Sequence, residues 1–560
     1  MIQTRGGLLR FAPHVTLTLM AGPVLAGLTG TLIPALGLMG GAPFASLLAW
    51  PGLSRAAMLS LTTGLAATAL SLAMVLLILA ALQGTAALRV LLRLLSPLLS
   101  VPHAAAALGL AFLISPSGWI ARALSPWATG WTAPPDLLIL NDPAGLALIA
   151  GLVAKEVPFL LLMALAALPQ TDAARRLLLA QTLGRGQVMA FVTVVLPVLY
   201  GQLRLPVYAV LAYAMTVVDM AVILGPSRPP TLSVQVVDWM MDPGLAQRST
   251  AAAGAVLQLA LVVGAVVLWR GVERLTRLAL RRMAEAGWRG VPLDAALRPV
   301  AIVAAGLVTA ALIVGLAGLA LWSLAGLWTF PEALPASLTL QTWLRASDGL
   351  WATAGVTLAL AVLATGAALA LVLACLEAEH RHGLTPTSRA LWLLYLPLVI
   401  PQVAFLPGLQ GFALMLGLDG SLLAVAAAHL VFVLPYVFLS LSPAWRAWDG
   451  RVATAGASLG ASDARILWRL RLPMLLRAIL TAAAVGVAVS VGQYLPTLLI
   501  GGGRVETLTT EAVALSSGGN RRLIGATALL QMALPAVVFA LAVLIPGLAF
   551  RHRRGMGPAT

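Results

Sequence analysis

The sequence predicts an all-α polytopic membrane protein of about twelve transmembrane helices in two tandem six-helix units. Three observations predict it. The 560 residues are 60% hydrophobic and only 10% charged, whereas soluble domains carry roughly 25% charged residues. Apolar runs recur at close to the roughly 20 residues that cross a bilayer, without the alternation of barrel strands. A polar island then occurs twice at one spacing.

Taken in order, the spans fall at about 13–33, 58–84, 96–117, 144–168, 198–224 and 250–269, then at about 300–323, 350–375, 390–416, 421–443, 478–500 and 523–549. The third is interrupted by Pro102 and Pro116. The basic start and apolar run at the N-terminus read as an uncleaved first span. Residues 1–272 form the first unit, 273–298 a basic cytoplasmic linker, and 299–560 the second unit. The linker region carries Arg270, Arg274, Arg277, Arg281, Arg282, Arg289 and Arg298, and Arg551, Arg553 and Arg554 close the chain.

The net charge is +16, and Lys155 is the only lysine. In a soluble protein such a charge would suggest nucleic acid; here the positive-inside rule accounts for it. With both termini cytoplasmic, 26 arginines fall on the cytoplasmic side and 8 on the other. The lone Cys375 excludes an internal disulfide and reads as a small apolar residue. No clustered set suggests a catalytic or metal centre.

The islands are 178–197, LLAQTLGRGQVMAFVTVVLP, and 454–473, TAGASLGASDARILWRLRLP. Gly184 precedes Leu196-Pro197, and Gly460 precedes Leu472-Pro473, at equal distances and at an offset of 276 residues. External Thr-Leu loops at Thr231-Leu232 and Thr507-Leu508 recur at the same offset. An even number of spans between the copies makes this a parallel duplication. Gly460 suits the left-handed residue that ends a short helix, Ser462 or Asp463 suits the next cap, and Pro473 suits a helix first turn. Each island therefore predicts a helix-turn-helix on the cytoplasmic surface, with apolar ridges at Ile466, Leu467, Trp468 and Leu470 and at Met189, Phe191 and Val192.

These residues resemble the EAA loop of binding-protein-dependent ABC importer permeases. The pattern Glu-Ala-Ala, three residues, Gly, nine residues, Ile, one residue, Leu-Pro maps onto Leu178-Leu179-Ala180, Gly184, Val194, Leu196 and Pro197. In the second copy it maps onto Thr454-Ala455-Gly456, Gly460, Leu470, Leu472 and Pro473. Leu178 and Thr454 stand where the pattern has its glutamate. Segments such as KEVPFLLLM, VVDMAVILGP and RPPTLSV look closest to YnjC-type permeases. The resemblance covers both halves and implies two fused permease domains of the type I importer fold in a bacterial inner membrane. It implies coupling through Ala180, Gly184, Val194, Leu196, Pro197, Ala455, Gly460, Leu470, Leu472 and Pro473. It also implies two copies of a cytoplasmic ABC ATPase and a periplasmic or lipid-anchored substrate-binding protein. The chain has no G-x-x-x-x-G-K-[ST] motif, since its only lysine lies within a span. It is expected to bind no cofactor, ATP being used by the partner, and to be a transport subunit rather than an enzyme.

Intramembrane polar residues mark a possible pathway: Lys155, Glu156, Asp219, Gln493 and Tyr494, with His103 and His429 also inside spans. An ion-coupled secondary transporter is the alternative. It would repeat its charged site in both halves, yet Lys155 corresponds to Val431 and Asp219 to Leu495.

Overall fold

In a bilayer every backbone polar group must find a partner within the protein, which leaves the helix as the only option for these Ala/Leu-rich runs. The computed structural model is helical over these runs. It describes residues 8–550 apart from 39–41, 99, 386, 388–389 and 391–392; the C-terminal arginine cluster lies outside the described residues. The first half comprises α1 (Ala12–Ala35), α2 (Leu53–Leu82), α3 (Ala86–Leu98), α4 (His103–Ile114), α5 (Leu146–Ala167), α6 (Ala173–Thr182), α7 (Leu196–Thr216), α8 (Asp219–Leu224), α9 (Leu232–Met241) and α10 (Leu245–Glu285). The second comprises α11 (Val291–Leu324), α12 (Ser347–His382), α13 (Gln402–Met415), α14 (Leu422–Arg446), α15 (Gly450–Ser458), α16 (Leu476–Val491), α17 (Leu495–Gly501), α18 (Leu508–Ser516) and α19 (Arg521–Ala549).

Among the described residues ten helices are long and apolar enough to cross a membrane, or eleven when the pair Asp463–Met474 and Leu476–Val491, bent by 72°, counts as one. The ninth expected span shrinks to α13, whose approach is broken by Pro397 and Pro401. The third begins only at His103, because α3 ends before Pro102 and forms a separate helix. The basic stretch 273–298 is not a loose linker. It is the projecting end of the 41-residue α10, a tight turn with left-handed Gly287 and Gly290, and the start of α11.

The two halves exchange their first helices. α1 packs on α13 of the other half, and α11 packs on α4. Both crossings are made by glycine. A Cβ added at Gly30 would lie 2.9 Å from the Gly408 Cα, and one at Gly109 would lie 3.0 Å from the Gly315 carbonyl carbon. Lipid tails are as apolar as leucine, so close backbone approach of this kind is what holds membrane helices together. Gly408 N also donates to Thr31 Oγ1 at 3.1 Å.

The fifth span of each half breaks near the end away from its island. α7 stops at Thr216 before α8, and α16 stops at Val491 before α17. A break frees backbone carbonyls inside the protein, and equivalent groups capture them. Met215 O accepts from Ser233 Oγ at 3.2 Å and from Gln258 Nε2 at 2.9 Å. Val491 O accepts from Thr509 Oγ1, which in turn accepts from Gln531 Nε2 at 2.6 Å. Ser233 and Thr509, like Met215 and Val491, stand 276 residues apart. The recurring Thr-Leu loops are therefore the starts of α9 and α18, which carry the capturing hydroxyls.

The glycine crossing is testable within one helix. Gly315→Leu should destabilise the protein by about 1–3 kcal/mol through overpacking, seen as a lower melting temperature in detergent. Gly306→Leu, where an added Cβ meets nothing within 4 Å, should melt close to the parent. Equal melting of the two variants would refute the crossing.

Candidate coupling loops and central polar cluster

Each island folds as a helix, a glycine turn and a second short helix that runs into a span. In the first, α6 ends at Gly184, φ +78°, and Gln187–Ala190 leads through a π-helical turn, Phe191–Val195, into α7. In the second, α15 ends at Gly460, φ +78°, and Asp463–Ile466 leads through the π turn Leu467–Arg471. Both π turns sit at the 276 offset. Both glycines close Schellman turns: Gly184 N donates to Gln181 O and Arg185 N to Ala180 O, while Gly460 N donates to Ala457 O and Ala461 N to Gly456 O. Only a residue free of Cβ strain suits that left-handed position.

The site residues separate into roles. Ala180 is buried, and its structural counterpart is Gly456, packed beneath Ile466 and Leu470; Ala455 lies exposed on the outer face of α15. Val194 and Leu470 are half-buried in the π turns, and Leu196 and Leu472 open the helices that follow. Pro197 and Pro473 occupy first-turn positions, where a missing N–H costs nothing. The expected first ridge is turned inward: Met189 and Phe191 are buried and Val192 is half-buried, Met189 lying against Gly290 of the α10–α11 turn that covers this island. In the second island Ile466 is buried, Leu467 and Leu470 are half-buried, and Trp468 is exposed. The outward tips are instead Leu183, 74% exposed, and Leu459, 88% exposed. They are equivalent residues, each just before its glycine. Nothing in residue type marks them, although their position one residue ahead of the turn could have.

The two loops are braced differently. In the first, the α10–α11 turn closes over the island. The Asp294 carboxylate accepts from Gln187 N at 2.6 Å and Val188 N at 2.9 Å, and Gly186 N donates to Arg289 O at 2.8 Å. Arg185 reaches Ala284 O at 3.0 Å. An acidic side chain at a helix N-terminus satisfies its free N–H groups and its dipole. The second island caps itself, Ser462 Oγ accepting from Arg465 N. Its anchor is Arg471, 2% exposed, paired with Glu377 at 2.7 Å and stacked on Trp448 at 4.1 Å. Glu377 also binds Arg381 at 2.6 Å. Val195 stands at the equivalent position in the first half.

The intramembrane residues converge near the breaks. Asp219 opens α8, and Gln493 and Tyr494 occupy the gap before α17. Glu156 is 4% exposed and lies 3.8 Å from His103, whose ring meets Tyr213 at 4.8 Å between centroids. Lys155 is aimed elsewhere, donating to Val101 O at 2.5 Å. His429 is fully buried between Ser490 and Thr497, both at 2.9 Å, and serves packing. Tyr213 carries no sequence signal, since a tyrosine in an apolar run looks like core.

Over 459 residues, 82% of this chain and 81% of the relative, the sequence is 32% identical to the inner membrane ABC transporter permease protein YnjC of Escherichia coli (strain K12). Over 168 residues, 30% of this chain and 65% of the relative, it is 24% identical to the spermidine/putrescine transport system permease protein PotC of Haemophilus influenzae. Over 169 residues, 27% of this chain and 60% of the relative, it is 32% identical to the molybdenum transport system permease protein ModB of Mycobacterium tuberculosis. No family model matches the chain.

The Arg471 anchor yields a double-mutant test. Glu377→Gln leaves a buried guanidinium without its counter-ion and should cost about 3–5 kcal/mol. Adding Arg471→Met should recover most of that loss in the same melting assay. Full additivity of the two substitutions would rule out the pair.

Proposed function

This chain belongs to the ABC transporter permease family, and from that premise we propose that it is a fused pair of permease domains driven through its two islands. It is a multi-pass inner-membrane transport subunit rather than an enzyme, and it works with an ATPase and a substrate-binding protein. Residues 1–272 and 299–560 form the two domains. Both termini and both islands face the cytoplasm, a reading supported by 26 arginines on that side against 8 on the other. One ATPase copy seats on each island, and a periplasmic or lipid-anchored binding protein delivers substrate to the opposite face. ATP is bound and hydrolysed by those ATPase subunits, and this chain carries no cofactor. An ion-coupled secondary transporter is not retained, because family membership favours ATP-driven import.

One observation carries the mechanism. The first island joins its span without a loop, so Gln187–Thr216 is a single helical rod from the glycine turn to the break beside Asp219. The second island joins through the 72° bend to α16, which ends beside Gln493 and Tyr494. Movement of the first island is thus passed along one continuous helix to the break beside Asp219, and movement of the second passes through the bend to the break beside Gln493 and Tyr494. Leu183 and Leu459 are the apolar tips that enter the ATPase grooves. Ala180, Gly184, Val194, Leu196 and Pro197, and Ala455, Gly460, Leu470, Leu472 and Pro473, shape the loops behind them. Leu178, 63% exposed, and Thr454 stand where the family pattern has an acid, so docking here rests on apolar contact and shape. ATP-driven closure of the ATPase pair draws the islands together and opens the pathway outward.

Leu183→Asp combined with Leu459→Asp should reduce ATPase co-purification at least about tenfold, since two buried charges cost several kcal/mol, and should abolish nucleotide-driven uptake. Membrane content should be unchanged. The parent complex should show two ATPase copies per chain by native mass measurement. ATPase retention by the double variant would overturn the docking assignment.

A further inference from the structure

One side of α10 changes character at Arg270. Ala260, Val263 and Val267 are exposed in the apolar part of the helix, and Arg270, Arg274, Arg277 and Arg281 are exposed beyond it. These positions follow one another at steps of three and four residues, which keeps them on one side of a helix. The other side faces the bundle. There Glu273 binds Tyr200 at 2.8 Å, Tyr208 at 2.9 Å and Arg204 at 3.2 Å, and Ala284 O receives Arg185 at 3.0 Å. The side that meets lipid within the span therefore continues, in one unbroken helix, as a row of arginines.

The row has no counter-ions. Among the described residues none of its arginines forms an ion pair; Glu273 is taken by Arg204 and the two tyrosines, and Glu285 pairs with no arginine. Leu275, 69% exposed, and Leu278, 48% exposed, lie among the charges. A helix rises 1.5 Å per residue, so Arg270 to Arg281 climb about 16 Å from the end of the apolar run. The headgroup layer is about 5–8 Å deep. Arginine side chains bend back toward it, and the attraction of a charged leaflet reaches about 8–10 Å further. The whole row falls within that field. An acidic protein surface fits less well, because a subunit seated on the first island would approach the opposite side of the hairpin, where Ala284 and Arg289 meet the island.

We propose that this side of α10 binds anionic phospholipid headgroups of the cytoplasmic leaflet, and that the bound lipid positions the first island. Glu273 ties α10 to the rod of that island, Ala284 ties it to Arg185, and Asp294, just past the turn, holds Gln187 N and Val188 N. A pull on the arginines is therefore carried to the loop around Gly184. The second island is anchored by Glu377 of α12 instead. The inference rests on the permease reading, which places this end of α10 in the cytoplasm and makes the island a coupling element.

The full-length permease in nanodiscs of phosphatidylcholine, with and without phosphatidylglycerol, tests the assignment. The anionic lipid should raise the melting temperature, the gain should fade with salt, and soluble glycerol 3-phosphate should give none. Arg270→Gln, Arg274→Gln, Arg277→Gln and Arg281→Gln together should remove at least half of the gain and leave melting in phosphatidylcholine unchanged; the corresponding lysine set should keep the gain. Should the combined glutamine variant fail to fold, Arg274→Gln with Arg281→Gln serves. The buried Cys375 is the only cysteine, so Leu278→Cys in a Cys375→Ala background carries a single fluorophore. A spin label on the lipid headgroup should quench it more strongly than a fluorophore on Trp288→Cys at the hairpin tip. Nucleotide-driven uptake by the assembled complex should rise severalfold with phosphatidylglycerol in the parent and not in the glutamine variant. No melting gain, an equal gain in the glutamine variant, a gain with soluble phosphate, equal quenching at the two positions, or uptake indifferent to the lipid would overturn the proposal. So would a glutamine variant that loses its ATPase but keeps its lipid response, since the arginines would then serve the ATPase. A parent that responds to the lipid but co-purifies with no ATPase removes the permease mechanism alone.

Discussion

The structure depends on one constraint: a helix broken inside a membrane must hand its freed backbone groups to other protein atoms. The fifth span of each half breaks, and a hydroxyl on the following short helix takes the carbonyl at the break. Ser233 does so for Met215, and Thr509 does so for Val491. A buried glutamine of the sixth span, Gln258 or Gln531, completes each site. Because these groups are in place, α7 and α16 can stop inside the bundle, with Asp219, Gln493 and Tyr494 at the breaks. The polar cluster exists only because the breaks are satisfied elsewhere.

Two further layers build on that arrangement. Glycine crossings bring the first helix of each half against the other half, so the halves are held by close backbone contact as well as by the α10–α11 turn. The islands then sit at the far ends of the broken spans, shaped identically by Schellman turns and π turns. Their supports differ: an aspartate from the α10–α11 turn holds the first, and the buried Arg471–Glu377 pair holds the second. The same mechanical part is thus mounted on two local chemistries.

Much of this is legible in the sequence, for reasons of type. Gly184 and Gly460 announce a left-handed turn, and Leu-Pro announces a helix start, so the islands and the 276-residue repeat read directly. The helix breaks at Val217–Val218 and before Tyr494 do not, since no proline or glycine pair marks the first of them and apolar β-branched residues continue a hydropathy run unchanged. The burial of the first ridge is hidden because its cover, the α10–α11 turn, comes from about 100 residues further along the chain. Asp294 reads as one more charge in a basic stretch; its role depends on a contact more than 100 residues away in sequence.

The helix exchange also governs how the chain is assembled. Thr31 on α1 bonds to Gly408, 377 residues later. At a synthesis rate of about 5–20 residues per second, α1 spends roughly 20 to 75 s in the bilayer before its partner has been made. During that interval Gly27 and Gly30 present a bare backbone groove to lipid and to any neighbouring nascent helix. The mature contact is therefore among the last to form on a chain whose first helix is among the first inserted. The covalent join between the halves keeps the awaited partner on the same polypeptide, so that completing the fold requires no encounter between separately made subunits.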